Sequence, residues 1–175
     1  MNDQSKRAAE LVHLRRRTLA KGDPVPLPLT MAAMYHLPGD PAGVRQYGRF
    51  NNATWEAVEE MLGHLESAEA VAFPSGMAAI SAAFFSLLKT GDRILLPADG
   101  YYTTRVLSDR FLKSFGVAAD LRPTASFLDG GFDGYRLVFL ESPANPGLDL
   151  CDIAAVSAAA HAAGAIVVAD NTTMT

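Results

Sequence analysis

The amino-acid sequence predicts an α/β fold, a mostly parallel sheet with helices on both faces. Two observations carry this prediction. Short apolar segments alternate along the chain with segments that have helical spacing. The apolar segments are also unbroken, which is typical of strands buried on both faces of a parallel sheet. Hydrophobic residues make up 49% of the 175 residues, which is enough to fill a sizeable core.

Composition and charge exclude several classes of protein. The formal net charge of -4 lacks the basic surplus typical of nucleic-acid binding. No apolar run reaches the length of a membrane span, and the N-terminus lacks the apolar core of a secretory signal. A single cysteine, Cys151, excludes an internal disulfide framework and favours a reducing, cytoplasmic compartment. The sequence shows no metal-ligand spacing, and it lacks the G-x-G-x-x-G turn of a nicotinamide-binding domain.

Residues 1–50 are predicted to form an irregular N-terminal arm, because they have little periodic apolar content. The basic run at residues 15–17 is interpreted as a solvated face. Pro24, Pro26 and Pro28 then impose an extended path.

Residues 51–175 are predicted to form the regular part of the fold. Its first helix has Thr54 as its cap and one apolar face at i, i+3, i+4 and i+7. This face consists of Val58, Met61, Leu62 and Leu65. A short strand is predicted over residues 70–73, and a second helix starts near Ser75 and ends before Gly91.

The alternation continues to the last residue. The further predicted strands are residues 94–96, 117–121, 137–140 and 165–169. One further helix covers residues 106–115, and another runs from its cap Asp152 to Ala163, closed by Gly164. The side chains expected to face inward from residues 106–115 are Leu107, Phe111 and Phe115.

Polar residues follow the predicted strands, and ligands of such sheets lie beyond the carboxyl ends of the strands. Ser75 and Gly76 begin a helix, so they either offer N–H groups to an anion or form a plain cap and tight turn. Asp170 ends the most apolar strand, so its carboxylate either holds a cation or caps the next loop. The side chain of Tyr101 either stacks on a flat ligand or packs a loop.

Tyr47 and Arg49 lie one residue apart in the arm. A phenol and a guanidinium can bind a phosphate jointly, because arginine offers a planar fork of donors. The alternative is an ordinary surface pair.

Short motifs occur in one order along the chain. They are Tyr47-Gly48-Arg49, Asn52-Ala53-Thr54, Ser75-Gly76-Met77-Ala78-Ala79, Gly91-Asp92, Glu141-Ser142-Pro143-Ala144-Asn145-Pro146 and Asp170-Asn171-Thr172. From about Pro24 to the last residue, the sequence resembles the cystathionine synthase/lyase family, the pyridoxal-phosphate (PLP) enzymes of cysteine and methionine metabolism. The resemblance implies that residues 51–175 are the first part of the large, PLP-binding domain of a fold-type I enzyme. The rest of that domain and a C-terminal small domain would be absent from this truncated chain.

The resemblance also implies roles for the residues singled out above. Gly76 and Met77 resemble the backbone donors to the cofactor phosphate, with Ser75 beside them. Tyr101 matches the tyrosine that stacks on the pyridine ring. Asp170 matches the acid that keeps the ring nitrogen protonated, which lets the ring accept electrons.

Further roles follow in the same way. Asn145 matches a polar residue near the ring or the substrate carboxylate, and Thr172 belongs to the cofactor-binding motif. Tyr47 and Arg49 resemble the pair that reaches the cofactor phosphate of a neighbouring subunit, which implies a homodimer with shared sites, assembled as a tetramer. Tyr101 and Tyr47 are the predicted catalytic residues in this chain.

The chain departs from the family pattern at three points. Asn52-Ala53-Thr54 stands where the family often has Asn-Pro-Thr, and Tyr101-Tyr102-Thr103-Thr104 where it often has Tyr-Gly-Gly-Thr. The family's Schiff-base lysine would lie beyond Thr175. The lysines that the chain does contain stand in other contexts: Lys6, Lys21, Lys89 and Lys113.

The resemblance implies an enzyme acting on a small amino-acid substrate. The main expectation is a cystathionine lyase that breaks a carbon–sulfur bond by γ- or β-elimination. The alternatives are a methionine lyase and a γ-replacement enzyme of the cystathionine γ-synthase or acyl-homoserine sulfhydrylase type. A hypothesis of another class is a non-catalytic chain that binds the cofactor loosely or assembles with a second chain.

Overall fold

A computed structural model describes residues 3–15, 19–31 and 33–174 of the chain. The chain divides into two compact units, Met1–Ala72 and Phe73–Thr175. No helix in the described part of the chain is long and apolar enough to cross a membrane.

In the described part of the first unit, the helices α1 (Asp3–His13) and α2 (Ala53–Glu66) are separated by residues that are largely irregular. The prediction of an irregular arm over residues 1–50 is therefore wrong for α1. Alanine, leucine, glutamate, lysine and arginine are strong helix formers and make up much of this stretch, and the prolines come only after it. Of the predicted basic run, Arg16 and Arg17 lie outside the described residues.

The sequence predicted Thr54 as the cap of helix α2, and this prediction is wrong. The residue that caps the helix is Asn52. The Asn52 side-chain oxygen accepts a hydrogen bond from the Thr54 N–H at 2.8 Å. The Thr54 hydroxyl instead accepts the N–H of Thr30 at 2.8 Å. The predicted apolar face is present on α2, but its four side chains are 42–46% exposed within this chain.

The second unit is built on one parallel sheet with the strand order β2-β1-β3-β4. The strands are β1 (Arg93–Pro97), β2 (Ala118–Arg122), β3 (Leu137–Glu141) and β4 (Ile166–Asp170). These four predicted strands are confirmed, and every residue of the central strand β3 is buried. Residues 70–73 are not a strand, because they pair with none of the described strands.

Helices cover both faces of this sheet, as predicted. They are α3 (Gly76–Leu87), α4 (Tyr102–Arg110) and α5 (Ile153–Ala162), with short 3-10 helices at Leu112–Phe115 and Thr124–Asp129. Successive side chains of a strand point to opposite faces, so the sheet carries two separate apolar cores. One core packs Ile94, Leu96, Leu137 and Phe139 against Ile80, Phe84 and Leu112. The other packs Leu95, Val138 and Leu140 against Phe127, Val156 and Ala160.

The predicted helix over residues 106–115 differs from the observed one. Helix α4 ends at Arg110, and the chain continues as the 3-10 helix Leu112–Phe115. The change of helix type at Phe111 breaks the 3.6-residue period, so the spacing from Leu107 no longer holds. As a result Phe111 and Phe115 are 52% and 58% exposed, and Leu112 is buried in their place.

Candidate functional site

A cavity of about 450 Å³ lies beyond the carboxyl ends of β3 and β4, next to the N-terminus of α3. All of the predicted cofactor-binding residues of the second unit line it. They are Ser75, Gly76, Met77, Tyr101, Asn145, Asp170 and Thr172. The predicted residues of this unit therefore come together at one cavity, whereas the function of the cavity and the role of each residue stay predictions.

Tyr47 and Arg49 belong to the first unit. The Arg49 guanidinium lies 5.0 Å from the centre of the Tyr47 ring and 5.7 Å from that of Phe50. The predicted pair is thus real as a contact, because a guanidinium over an aromatic face is an attractive arrangement. Its function at a neighbouring subunit's phosphate stays a prediction.

The N-terminus of α3 forms one wall of the cavity. Ser75 is the N-cap, and its hydroxyl accepts the N–H of Ala78 at 3.1 Å. The N–H groups of Gly76 and Met77 open the helix and have no partner inside it, because the first turn has no preceding carbonyls. A Cβ atom built on Gly76 would meet nothing within 4 Å, so an anion can approach this backbone closely.

Asp170 contributes an acidic group to the cavity lining, in contrast to the N–H donors of α3. Its carboxylate lies at the end of β4. Its Oδ1 atom accepts the Thr172 N–H at 3.0 Å and the Thr172 hydroxyl at 2.5 Å. The loop-capping interpretation is therefore correct as far as Oδ1 is concerned. The same two bonds fix the orientation of the carboxylate toward the cavity, so the capping and binding interpretations are compatible.

Tyr101 supplies the aromatic group of the cavity, and its side chain is 37% exposed. Its ring makes an edge contact with that of Tyr102, with the centroids 5.7 Å apart. The Tyr101 ring therefore has a neighbour on one side and still borders the cavity.

Glu141, the last residue of β3, lines the cavity and was given no role from the sequence. Only 5% of it is exposed. Burial raises the pKa of the Glu141 carboxyl, hydrogen bonds from the N–H groups of Tyr101 and Asn145 oppose this rise, and the negative charge of Asp170 adds to it. A carboxylate directly after a fully apolar strand was the signal that could have identified this residue.

The loop between β1 and α4 is held at several points. Asp99 accepts the Thr124 N–H at 2.9 Å and the Thr124 hydroxyl at 2.8 Å. The Arg105 guanidinium donates to the Gly100 carbonyl. The loop that carries Tyr101 is therefore fixed by side chains from several elements of this unit.

The donor set of the cavity suits a flat, partly charged organic ligand. Backbone N–H groups at the start of a helix favour an anionic group. An aromatic side chain can contact the face of a planar ligand. A carboxylate at the end of a strand favours a protonated nitrogen. Pyridoxal phosphate carries all three elements, so the residues present fit it. Among the described residues, no cluster of three or more histidine, cysteine, aspartate or glutamate side chains could hold a metal ion.

Comparisons with known proteins agree with this donor set. The family model described as Cys/Met metabolism PLP-dependent enzyme matches residues 9–175. A Streptomyces coelicolor protein whose name assigns it to the cystathionine gamma-lyases is 44% identical over 151 residues, 82% of this chain and 38% of its own. An O-succinylhomoserine sulfhydrylase of Pseudomonas aeruginosa is 40% identical, over 71% of this chain and 32% of its own.

A solved structure with a similar fold carries a name from the same group of enzymes. The cystathionine gamma-lyase of Lactobacillus plantarum, complexed with L-serine, superimposes with a TM-score of 0.82 at 32% identity. The match covers 94% of this chain and 44% of that one. The chain thus spans less than half the length of the relatives that it matches.

Proposed function

Because the chain belongs to the Cys/Met metabolism family of PLP-dependent enzymes, we propose that the whole protein is a carbon–sulfur lyase whose substrate is cystathionine. The observation that carries the proposal is the single cavity shared by the N-terminus of α3, Tyr101 and Asp170. Relatives named as cystathionine lyases support the choice of reaction. The neighbour solved with L-serine supports an amino acid as the substrate class.

In this proposal each wall of the cavity has one task toward the cofactor. Ser75, Gly76 and Met77 bind the phosphate, and Tyr101 contacts the face of the ring. Asp170 keeps the ring nitrogen protonated, which its fixed orientation toward Thr172 helps it to do. When bound, PLP supplies an electron sink for the negative charge that develops at the substrate's α-carbon.

Two further assignments concern the substrate and the assembly. Asn145 lines the cavity with its backbone fixed by Glu141, which supports a role in holding the substrate carboxylate or the ring. Tyr47 and Arg49, already in contact with each other, bind the phosphate of a neighbouring subunit in a homodimer of shared sites, assembled as a tetramer. The lone Cys151 supports a reducing, cytoplasmic compartment.

The test is a product assay on the complete protein. With cystathionine, γ-elimination releases cysteine, 2-oxobutanoate and ammonia, whereas β-elimination releases homocysteine, pyruvate and ammonia. We expect one of these 2-oxo acids, formed only when PLP is present. Product from an acyl-homoserine plus sulfide, with none from cystathionine, would instead identify a γ-replacement enzyme. Bound PLP without turnover of any of these substrates, or of methionine, would favour the non-catalytic alternative.

A further inference from the structure

The Glu141 carboxylate connects two separate segments at the mouth of the cavity. Its Oε2 atom accepts the backbone N–H of Tyr101 at 2.6 Å. Its Oε1 atom accepts the backbone N–H of Asn145 at 2.8 Å. One segment follows β1 and the other follows β3, so a single side chain joins the ends of two neighbouring strands.

The surrounding chain is shaped around this carboxylate. A Cβ atom on Gly100 would lie 2.6 Å from Oε2 of Glu141 and 2.7 Å from Cγ of Pro97. A side chain at residue 100 would therefore force the Glu141 carboxylate or the Pro97 ring to shift. The other tethers of the loop hold Asp99 and the Gly100 carbonyl, whereas the Glu141 bond holds the backbone of Tyr101 itself.

Burying a carboxylate is costly unless its oxygens are hydrogen-bonded. Only 5% of Glu141 is exposed, yet both hydrogen bonds that it accepts come from neutral backbone groups. A glutamine or an apolar residue would avoid most of this cost. What the buried carboxylate achieves is to hold the segment that carries Tyr101 and the segment that carries Asn145 in fixed positions relative to each other.

We propose that Glu141 is a positioning residue, whose carboxylate fixes the Tyr101 ring and the Asn145 side chain relative to each other on the rim of the cavity. The ligand that these two side chains contact rests on the proposed function. The two hydrogen bonds by which Glu141 holds the segments together do not. The two N–H donors meet different oxygens of the carboxylate. In Glu141→Gln one of these oxygens is replaced by an NH2 group, which donates and cannot accept, so only one of the two bonds can be kept in place.

The experiment measures backbone amide hydrogen exchange in the PLP-free protein, residue by residue. Three variants are compared with the wild type: Glu141→Gln, Gly100→Ala and Asp92→Asn. Gly100→Ala leaves the carboxylate intact but pushes its Oε2 aside. Asp92→Asn is the matched control, because its carboxylate also accepts a backbone N–H, from Lys89 at 2.9 Å, outside the cavity lining.

We expect exchange at the Tyr101 or Asn145 amide to accelerate at least about tenfold in Glu141→Gln, the effect of losing one charge-assisted hydrogen bond. Gly100→Ala should accelerate exchange at Tyr101 and decides the matter alone if Glu141→Gln does not fold. Asp92→Asn should leave both amides unchanged. Unchanged exchange at both amides in the folded variants would overturn the proposal.

A second measurement uses the visible circular dichroism of bound PLP, recorded at full occupancy. Displacement of Tyr101 changes the surroundings of the cofactor ring, so Glu141→Gln should alter this signal while Asp92→Asn preserves it. An altered signal in Asp92→Asn of equal size would contradict a specific tether. If the wild type binds no PLP, the proposed function fails, and the exchange data still decide the role of Glu141.

Discussion

Asp120 and Glu141 are carboxylates of the same parallel sheet in opposite electrostatic surroundings. Asp120 accepts the Tyr135 hydroxyl at 2.8 Å and Nη2 of Arg93 at 2.6 Å. These bonds, the Tyr135 one foremost, lower the pKa of Asp120. Glu141 is buried with backbone donors alone, and burial raises its pKa.

The difference lies in the cation that each carboxylate has: Arg93 donates directly to Asp120, whereas the charge of Arg105 is the smallest of the influences on the pKa of Glu141. The Asp120 region neutralises its carboxylate with a guanidinium, as a stabilising contact does. At the cavity, Glu141 and Asp170 stand side by side in strand register, hydrogen-bonded to N–H and hydroxyl groups. A carboxyl whose pKa is raised by burial and which has no directly bonded cation, such as that of Glu141, is typical of functional sites.

The largest test of this contrast is Asp170→Asn in the complete protein. Removing the charge at similar size lowers the pKa of the ligand's ring nitrogen, so proton removal from the substrate slows while binding changes little. We expect turnover to fall by several orders of magnitude with a modest change in KM. Steady-state kinetics and the melting temperature are measured together. Near-normal turnover per folded molecule would reduce Asp170 to a loop cap.

Arg49→Ala extends the comparison to the first unit, where a guanidinium has an aromatic partner. If this charge serves a phosphate, PLP affinity should fall at least about tenfold, the effect of one charge-assisted hydrogen bond. Absorbance titration measures the affinity. Mixing Arg49→Ala with Asp170→Ala subunits should restore part of the activity through hybrid dimers. Absence of recovery after demonstrated subunit exchange would reject the shared site.

Asp120→Asn probes the opposite region. Its side chain is 46% exposed, so solvent screens the ion pair, and the loss should be roughly 0.5–1 kcal/mol of unfolding free energy. Turnover should stay within a factor of about two, because the residue is outside the cavity lining. Chemical denaturation and kinetics check both values. A large activity loss at unchanged stability would contradict the proposal that Asp120 stabilises the fold whereas Glu141 belongs to the functional site.

The finest test is the pH dependence of stability. The pKa of Asp120 is lowered on folding, so its contribution is present above the unfolded value of about 3.9 and disappears as the pH falls through the lower folded value. The pKa of Glu141 is raised, so its contribution is greatest below about 4.3 and disappears as the pH rises through the folded value.

The two variants should therefore diverge from the wild type in opposite directions. As the pH falls below about 3.9, the stability advantage of the wild type over Asp120→Asn should shrink. As the pH falls from neutral toward about 4.3, its advantage over Glu141→Gln should grow. Denaturation curves at several pH values measure both differences, and slopes of the same sign would show that the two surroundings are not opposed.

Much of the sheet could be predicted from the sequence, because unbroken apolar segments leave few alternatives to a buried parallel strand. The cavity could be placed for the same reason, since the carboxyl ends of such strands meet at one edge. The cap of α2 could not, because Asn52 and Thr54 are both good capping residues and tertiary bonds to Thr30 decide between them.

Other features depend on contacts that no local pattern reveals. The exposed positions of Phe111 and Phe115 follow from a change of helix type inside an apolar stretch. The role of Glu141 depends on backbone groups from two segments, one of them far away in the sequence. The carboxylate at the end of an apolar strand could have placed Glu141 at the cavity, but nothing in the sequence indicates which backbone groups it binds.

The register that sets Glu141 beside Asp170 also determines when during folding the site can exist. Strands β3 and β4 are parallel, so the chain must complete the crossover through α5 before they pair. Closing such a loop costs entropy before any contact compensates for it, so parallel pairing forms slowly. The two carboxylates therefore come together only when this pairing is complete.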